Sequence, residues 1–321
     1  MSERPLFLAG IDRSGIGLLG ELLESHPDLA VTRRLNFWDF YVDRFGDLGE
    51  PARLEACLGA MMSYTRIRRL EPDPDRLRAE FRAGEATYVR LFQLLQEQNA
   101  ARLGKSRWAD KSLMAEGHAD AILSAFPDAV MIHILRDPRD RYASRATHRS
   151  AGRGGIGSGT AAWLWSARLA RANARNHPGR YLVVRYEDLV ARPEPVMRSV
   201  CDFAHLPFDP SVLSPVSAPG RRLHSRSVGR YRGDLTPGEI WFSQLAAGRM
   251  MRAWAYDIAT LEWGKAEKMR YLATRMPREL AGLVLWAPAR WVSAAKGRRP
   301  SGRRTVPGDR LNRDGDASRP A

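Results

Sequence analysis

The sequence predicts an α/β fold built on a central parallel sheet. Short apolar runs of buried-strand type occur at 6–9 (LFLA), 29–32 (LAVT), 129–135 (AVMIHIL) and 181–186 (YLVVRY). They are mixed with stretches whose apolar residues recur at helical spacing, as at Leu18, Leu19, Leu22 and Leu23. That mixture is the pattern of α/β proteins. The run at 129–135 is the most apolar of all, as expected of a central strand covered on both faces. With 321 residues and 44% hydrophobic content, the chain buries a large core in one or two domains.

The segment 5–25 (PLFLAGIDRSGIGLLGELLES) is strand, then turn, then helix, and the rest of the chain is organised around it. Its turn, Gly10-Ile11-Asp12-Arg13-Ser14-Gly15-Ile16-Gly17, carries a cation and a hydroxyl and opens straight into a helix N-terminus. Such a place binds anions, because unpaired N–H groups and the positive end of the helix dipole converge there. Three readings compete. Gly10 to Gly15 has the spacing of a P-loop, but Ile16-Gly17 stands where the lysine and the Mg²⁺-binding hydroxyl belong, which argues against an ATPase or kinase. Gly15 to Gly20 matches the dinucleotide fingerprint, yet it starts late after the strand, and Arg33-Arg34 replaces the acidic residue, which suits at best NADP. The third reading is a modified nucleotide gripped without a metal, with Arg13 supplying the charge.

His26-Pro27-Asp28 ends the first helix, and His26 reads as a cap on carbonyls rather than a base. The run 36–45 (NFWDFYVDRF) sets Phe37, Trp38, Phe40, Tyr41 and Phe45 at helical intervals, for core packing or the wall of an acceptor pocket. Amphipathic helices follow at 53–70, 75–83 and 85–102, an insertion that caps the sheet and shapes a cleft. The stretch 106–112 (SRWADKS) is a short strand ending at Lys111, and a helix runs over 115–126.

The strand at 129–135 leads into Arg136-Asp137-Pro138-Arg139-Asp140-Arg141-Tyr142-Ala143-Ser144. Asp137 is placed to cap the next helix and Pro138 to occupy its first turn. Arg136 then lies at the carboxyl end of a sheet strand, where open α/β sheets place ligands, and Ser144 lies about two turns along the helix. Arginine plus hydroxyl is phosphate chemistry; a surface Arg/Asp ion-pair cluster is the alternative. The run 152–159 (GRGGIGSG) reads as a flexible loop over the cleft, 160–176 as a helix, 207–222 as loop, and a helix opens near Pro193. A second basic loop, 225–233 (SRSVGRYRG), is able to close over a bound nucleotide, and 239–254 and 266–275 complete the helical end.

The net charge of +15 invites a nucleic-acid reading, but the arginines are spread along the chain and no nucleic-acid-binding signature is visible. No nucleic-acid partner is expected. Cys57 and Cys201 share no metal-ligand spacing and read as buried thiols of a cytoplasmic, reducing compartment. No run reaches the ~18 residues of a membrane span or resembles a secretion signal. The apolar stretch 280–292 is broken by Pro288 and Arg290 and reads as a packed terminal helix.

Five segments in register resemble the sulfotransferase family that uses 3′-phosphoadenosine 5′-phosphosulfate: LAGIDRSG…LLESHP, WADKS, ILRDPRDRYAS, VVRYEDLVARPE, and SVGRYRGDLT with a later WAYD. The resemblance implies a three-layer α/β/α domain like that of P-loop nucleotide kinases over 1–265, with a helical insertion at about 36–104. It leaves a helical extension at 266–295 and a basic tail at 296–321 that reads as disordered. It implies that Arg13, Ser14, Gly15, Ile16 and Gly17 cradle the 5′-phosphosulfate, Arg136 and Ser144 grip the 3′-phosphate, and Tyr186 lies near the adenine. Lys111 then sits near the transferred sulfuryl group, with Arg13 and Lys111 as the catalytic cations, and Ser227 and Arg232 belong to a late loop that closes on the nucleotide. No metal is expected. The acceptor is a small molecule, glycan, lipid or tyrosyl group, and the basic C-terminus offers peripheral membrane contact. Two departures stand out: Ile16-Gly17 replaces two hydroxyl residues of the family loop, and no glutamate base follows the His-Pro break. Asp39, Asp12 and His148 are the base candidates. A sulfotransferase-like protein that binds nucleotide without turnover is the competing function.

Overall fold

The structure, a computed structural model, describes residues 4–146, 155–217 and 227–296. Five strands form its centre: β1 (Leu6–Ala9), β2 (Leu29–Arg33), β3 (Arg107–Lys111), β4 (Val130–Leu135) and β5 (Tyr181–Arg185). They are all parallel, in the order β2-β3-β1-β4-β5. Leu6 in β1 lies opposite Ala109 on one side and Val130 on the other. Every residue of β1 and β4 is buried. Strands covered by helices on both faces need no polar alternation, which is why both read as unbroken apolar runs.

Side chains of β1 still alternate between the two layers. Phe7 meets Trp108 edge-on at 5.7 Å and Phe126 at 5.6 Å in a cluster with Phe37, Leu54, Cys57 and Phe92. Leu6 and Leu8 face the other way, onto Leu19, Leu22, Ile132 and Val200. Burying each large apolar side chain so completely stabilises the fold by about 1.5–3 kcal/mol. The first layer comes mainly from the helices between β2 and β3 (Phe37–Phe40, Pro51–Ser63, Thr65–Arg68, Pro74–Arg82 and Tyr88–Arg102), and the second from Ile16–Glu24, Tyr186–Ala191 and Pro193–Phe203. The three-layer α/β/α class expected from the sequence is therefore the observed one.

The strand order positions the site. The chain leaves β1 toward β2 on one side of the sheet and leaves β4 toward β5 on the other. The two connections diverge and leave a crevice at the carboxyl ends of β1 and β4, the switch point at which open α/β sheets bind ligands. Arg13 follows β1 and Arg136 follows β4, so both expected anion-binding segments open onto it.

Several local expectations change. Residues 152–154 of the expected glycine loop lie outside the described residues, but the Ile156–Asn176 helix starts within the glycine run. A Cβ on Gly157 would lie 1.8 Å from the carbonyl oxygen of Glu279, and the Gly157 N–H donates to the Glu279 carboxylate at 2.8 Å. Glycine there lets the Met276–Lys296 helix touch its neighbour; it does not loosen a loop. Within the expected loop at 207–222, Pro210–Leu213 is a 3-10 turn and Ser214–Ser217 one helical turn. β5 ends at Arg185, and Tyr186 opens a helix. His26 Nδ1 accepts the Asp28 N–H, so Nε2 donates to the Pro207 carbonyl at 2.8 Å, tying the helix end to a distant loop rather than capping its own helix.

Cys57 and Cys201 are free, buried thiols, which burial pushes up to about 12 and about 11. Among the described residues no helix is long and apolar enough to cross a membrane. The basic segment 297–321 lies outside the described residues.

Candidate active site

The turn after β1 has glycine where its geometry demands it. Gly15 sits at φ +102°, and a Cβ there would lie 2.3 Å from the Tyr186 ring. Arg13 also adopts the left-handed region, at φ +64°, which turns the chain sharply before the helix. Gly15 precedes the Ile16–Glu24 helix without a capping side chain, so the helix end presents its first-turn N–H groups to the crevice. Ser14 is 1% exposed, and its Oγ bonds no group of the described residues. A buried hydroxyl in that state costs about 1–3 kcal/mol, a penalty that an anion accepting its proton removes.

Arg136, at the end of β4, is held on several sides. Its guanidinium donates to the Arg13 carbonyl at 3.3 Å and the Ser227 carbonyl at 2.5 Å, and it lies over the Tyr186 ring at 4.5 Å. Its own carbonyl accepts the Trp163 indole N–H at 2.8 Å. Its Nε is buried and makes no hydrogen bond to the described residues. Asp137 caps the Pro138–Ala146 helix as expected, accepting the Arg139 N–H at 2.8 Å. Ser144, in the same helix, accepts from Arg13 Nε at 3.0 Å. Crowding by the protein, then the like charge of Arg136, lowers the Arg13 pKa; the nearby Asp12 carboxylate works in the opposite direction. Arg13 therefore sits in a crowded place next to a second guanidinium.

Lys111 ends β3, two strands from β4. It is 8% exposed, and its stem runs against Gly20: a Cβ on Gly20 would lie 2.6 Å from Lys111 Cδ. The last glycine of the apparent dinucleotide fingerprint thus makes room for a lysine. Burial, then the charges of Arg33 and Arg34, push the Lys111 pKa down to about 8. Burial and Arg66 likewise lower that of Arg34, whose N–H donates to the Lys111 carbonyl at 2.6 Å. Lys111, Arg33 and Arg34 thus gather positive charge at the ends of β2 and β3, beside Glu21 and Glu24 of the first helix.

The predicted residues Arg13, Ser14, Gly15, Arg136, Ser144, Tyr186 and Ser227 come together around one crevice. Tyr186 Oη and Ser227 Oγ are 2.8 Å apart. Ile16 and Gly17 form the first turn of the helix at its mouth. Arg232 is exposed and lies over the Tyr231 ring at 4.9 Å, with its Nη1 beside Gly229; the late-loop cation whose charge acts on Arg13 is Arg230.

Sequence reasoning missed Asp140. Its buried carboxylate accepts the Gly229 N–H at 2.7 Å and the Tyr231 N–H at 2.9 Å and fastens the late loop over Arg136. Nothing in the local sequence distinguishes it from the other acidic residues of RDPRDR. Of the base candidates, Asp12 is paired with Arg141, Asp39 Oδ1 accepts from His118 Nε2 at 3.0 Å, and His148 lies outside the described residues. Among the described residues no cluster of His, Cys, Asp or Glu is arranged to hold a metal ion.

A parallel sheet with a Gly-rich anion turn and an arginine-bearing strand exit at its switch point defines a nucleotide-binding α/β protein. The sequence profile of the sulfotransferase family matches residues 5–210, and the chain belongs to that family. The structure is similar to the sulfotransferase domain of the Synechococcus PCC 7002 olefin synthase, with a TM-score of 0.57 and 21% identity over 80% of this chain and 97% of that one. It is also similar to the sulfotransferase domain from the curacin biosynthetic pathway, with a TM-score of 0.55 and 19% identity over 80% of this chain and 99% of that one. At these identities the likeness is one of fold. No curated protein sequence matches the chain.

Proposed function

We propose that this protein is an enzyme that transfers the sulfuryl group of 3′-phosphoadenosine 5′-phosphosulfate to a hydroxyl or amine of an acceptor. The observation that carries the reading is the convergence of Arg13 and Arg136 on one crevice, with a hydroxyl and a guanidinium nitrogen buried there without a hydrogen-bond partner among the described residues. Arg13, Ser14, Gly15, Ile16 and Gly17 bind the 5′ end of the nucleotide. Arg136 and Ser144 bind its 3′-phosphate, the group that distinguishes this nucleotide from ordinary adenine nucleotides. Tyr186 packs beside the adenine, and Ser227 closes the cradle. Arg232 joins only if it swings in from its place over Tyr231.

When bound, the nucleotide supplies the sulfuryl group and gathers negative charge on the oxygen that bridges it to the 5′-phosphate. Arg13, Lys111 and the helix N-terminus are the chain's fixed donors for that charge, and the reading needs no metal. Lys111 is suited to the task because its buried ammonium has lost the shielding of water. Small molecules, glycans, lipids and tyrosyl groups all offer the nucleophile; the basic C-terminus provides a peripheral membrane contact, and the buried free thiols fit the cytoplasm.

The second reading, a nucleotide-binding protein without turnover, is favoured by Ile16-Gly17, which removes two hydroxyl donors from the loop. Transfer of ³⁵S from labelled 3′-phosphoadenosine 5′-phosphosulfate to a panel of phenols, alcohols and amines decides between them. Labelled product that disappears in Lys111→Ala supports the enzyme; tight nucleotide binding with no labelled product across the panel supports the binder.

A further inference from the structure

The turn that carries Arg13 is fastened from below by a residue the reaction does not use. Gly10 opens that turn, and its N–H donates to Glu116 Oε2 at 3.0 Å. Its carbonyl accepts the Met114 N–H at 3.1 Å. Both contacts come from the segment that follows Lys111, so the anion turn and the lysine strand are joined at one point. Gly10 has no latitude of its own. A Cβ there would lie 2.8 Å from Ser14 Oγ and 2.9 Å from the Ile134 carbonyl, so only glycine lets the turn pack this closely against Ser14 and β4.

Glu116 is 1% exposed, and its carboxylate is gripped in turn. Ser166 donates to Glu116 Oε1 at 2.6 Å, and Asn173 donates to the Glu116 carbonyl at 2.9 Å. Ser166 Oγ lies 3.0 Å from His133 Nε2, and His133 Nδ1 lies 2.8 Å from the Tyr181 hydroxyl. The direction of this chain follows from the donor inventory. An ionised carboxylate only accepts, so Ser166 gives its proton to Glu116 and accepts from His133 Nε2–H, which leaves Nδ1 to accept from Tyr181. Burial lowers the His133 pKa and keeps the imidazole neutral, although Glu116 pulls the other way. The chain thus runs from β5 through β4 and the Ile156–Asn176 helix to the first residue of the anion turn.

Electrostatics cannot be what Glu116 contributes to anion binding, because a negative charge beneath the turn repels the ligand. Its contribution is geometric. We propose that Glu116 is a positioning residue that sets the Gly10 peptide, and through it Ser14 and Arg13, in the orientation that receives the 5′-phosphate end of the nucleotide. This rests on the nucleotide reading above.

Calorimetric titration of the full-length protein with 3′-phosphoadenosine 5′-phosphate and with adenosine 3′-monophosphate, which lacks the 5′ group, separates the two. Wild type that fails to bind the bisphosphate overturns the nucleotide reading. Given binding, Glu116→Ala weakens the bisphosphate about tenfold or more and leaves adenosine 3′-monophosphate within about twofold. Glu116→Gln, which keeps an oxygen for Gly10 and deletes the charge, binds the bisphosphate at least as tightly as wild type. Equal losses for both ligands, or none for either, overturn the positioning role.

Two ligand-free measurements hold even if an alanine variant folds poorly or no nucleotide binds. In wild type, ¹⁵N shifts report His133 protonated on Nε2, and exchange of the Gly10 amide is slow. In Ser166→Ala, which frees one side of Glu116, that exchange is faster. A His133 proton on Nδ1, or Gly10 exchange unchanged in Ser166→Ala, overturns the inference.

Discussion

Arg13 donates from Nε to Ser144 Oγ at 3.0 Å and thereby joins the turn after β1 to the helix after β4. The family resemblance assigns these side chains to opposite ends of one nucleotide. Their direct contact makes the crevice a single cradle closed from two strand exits, and replacing one partner tests it. Ser144→Ala removes the proposed 3′-phosphate donor and releases Arg13. Affinity for 3′-phosphoadenosine 5′-phosphate falls about tenfold, while that for 5′-AMP stays within about threefold, both read by calorimetry.

Gly15 and Gly17 respond in opposite ways to an added side chain. At Gly15 a Cβ meets the Tyr186 ring at 2.3 Å and φ is +102°, so Gly15→Ala displaces Tyr186 and costs the bisphosphate at least about tenfold in affinity. At Gly17 a Cβ meets nothing within 4 Å. Gly17→Thr therefore fits, restores a hydroxyl at the helix mouth, and tightens binding by about three- to tenfold. A Gly17→Thr protein that binds more weakly than wild type contradicts the placement of the anion at this helix end.

With Lys111 in the proposed role, the reaction has a pH dependence whose sign is set by its pKa of about 8, lowered by burial and by Arg33 and Arg34. The ammonium exists below that pH and is lost above it. kcat/KM for sulfuryl transfer therefore falls as pH rises through about 8, whereas kcat falls at higher pH because the bound anion favours the charged lysine. Lys111→Arg, charged throughout, loses this limb. Stability moves the other way. A lysine depressed in the folded state destabilises it at low pH, and that penalty fades between about 8 and the ordinary lysine value of 10.5, so Lys111→Met flattens the rise in Tm over this window.

The parts of the site carried by consecutive residues were legible in the sequence. Strand, glycine turn and helix follow one another over 5–25, and Arg136-Asp137-Pro138 marks a strand exit and a capped helix within three residues. The parts set by distant partners were not. The glycines near 157 read as a loop because no local rule reveals that a helix carrying Glu279 packs against them. Gly20 completes a fingerprint in the sequence and in the fold makes space for Lys111. Asp140 and Glu116 look like ordinary acidic residues until the fold brings them to Gly229 and Gly10. The late loop shows the same limit: its arginines are two residues apart, and only the backbone path puts Arg230 rather than Arg232 beside Arg13.

The crevice between β1 and β4 is proposed to hold an adenosine carrying charged groups at both its 3′ and 5′ positions. Calorimetry of wild type and Arg136→Ala with 3′-phosphoadenosine 5′-phosphate, ATP and NADPH tests it most directly. Wild type is expected to prefer the bisphosphate over both competitors by at least about a hundredfold, and Arg136→Ala to lose about 3 kcal/mol of that binding, because a buried charged donor is gone. Equal or tighter binding of NADPH or ATP, or an Arg136→Ala variant that binds the bisphosphate like wild type, contradicts the account.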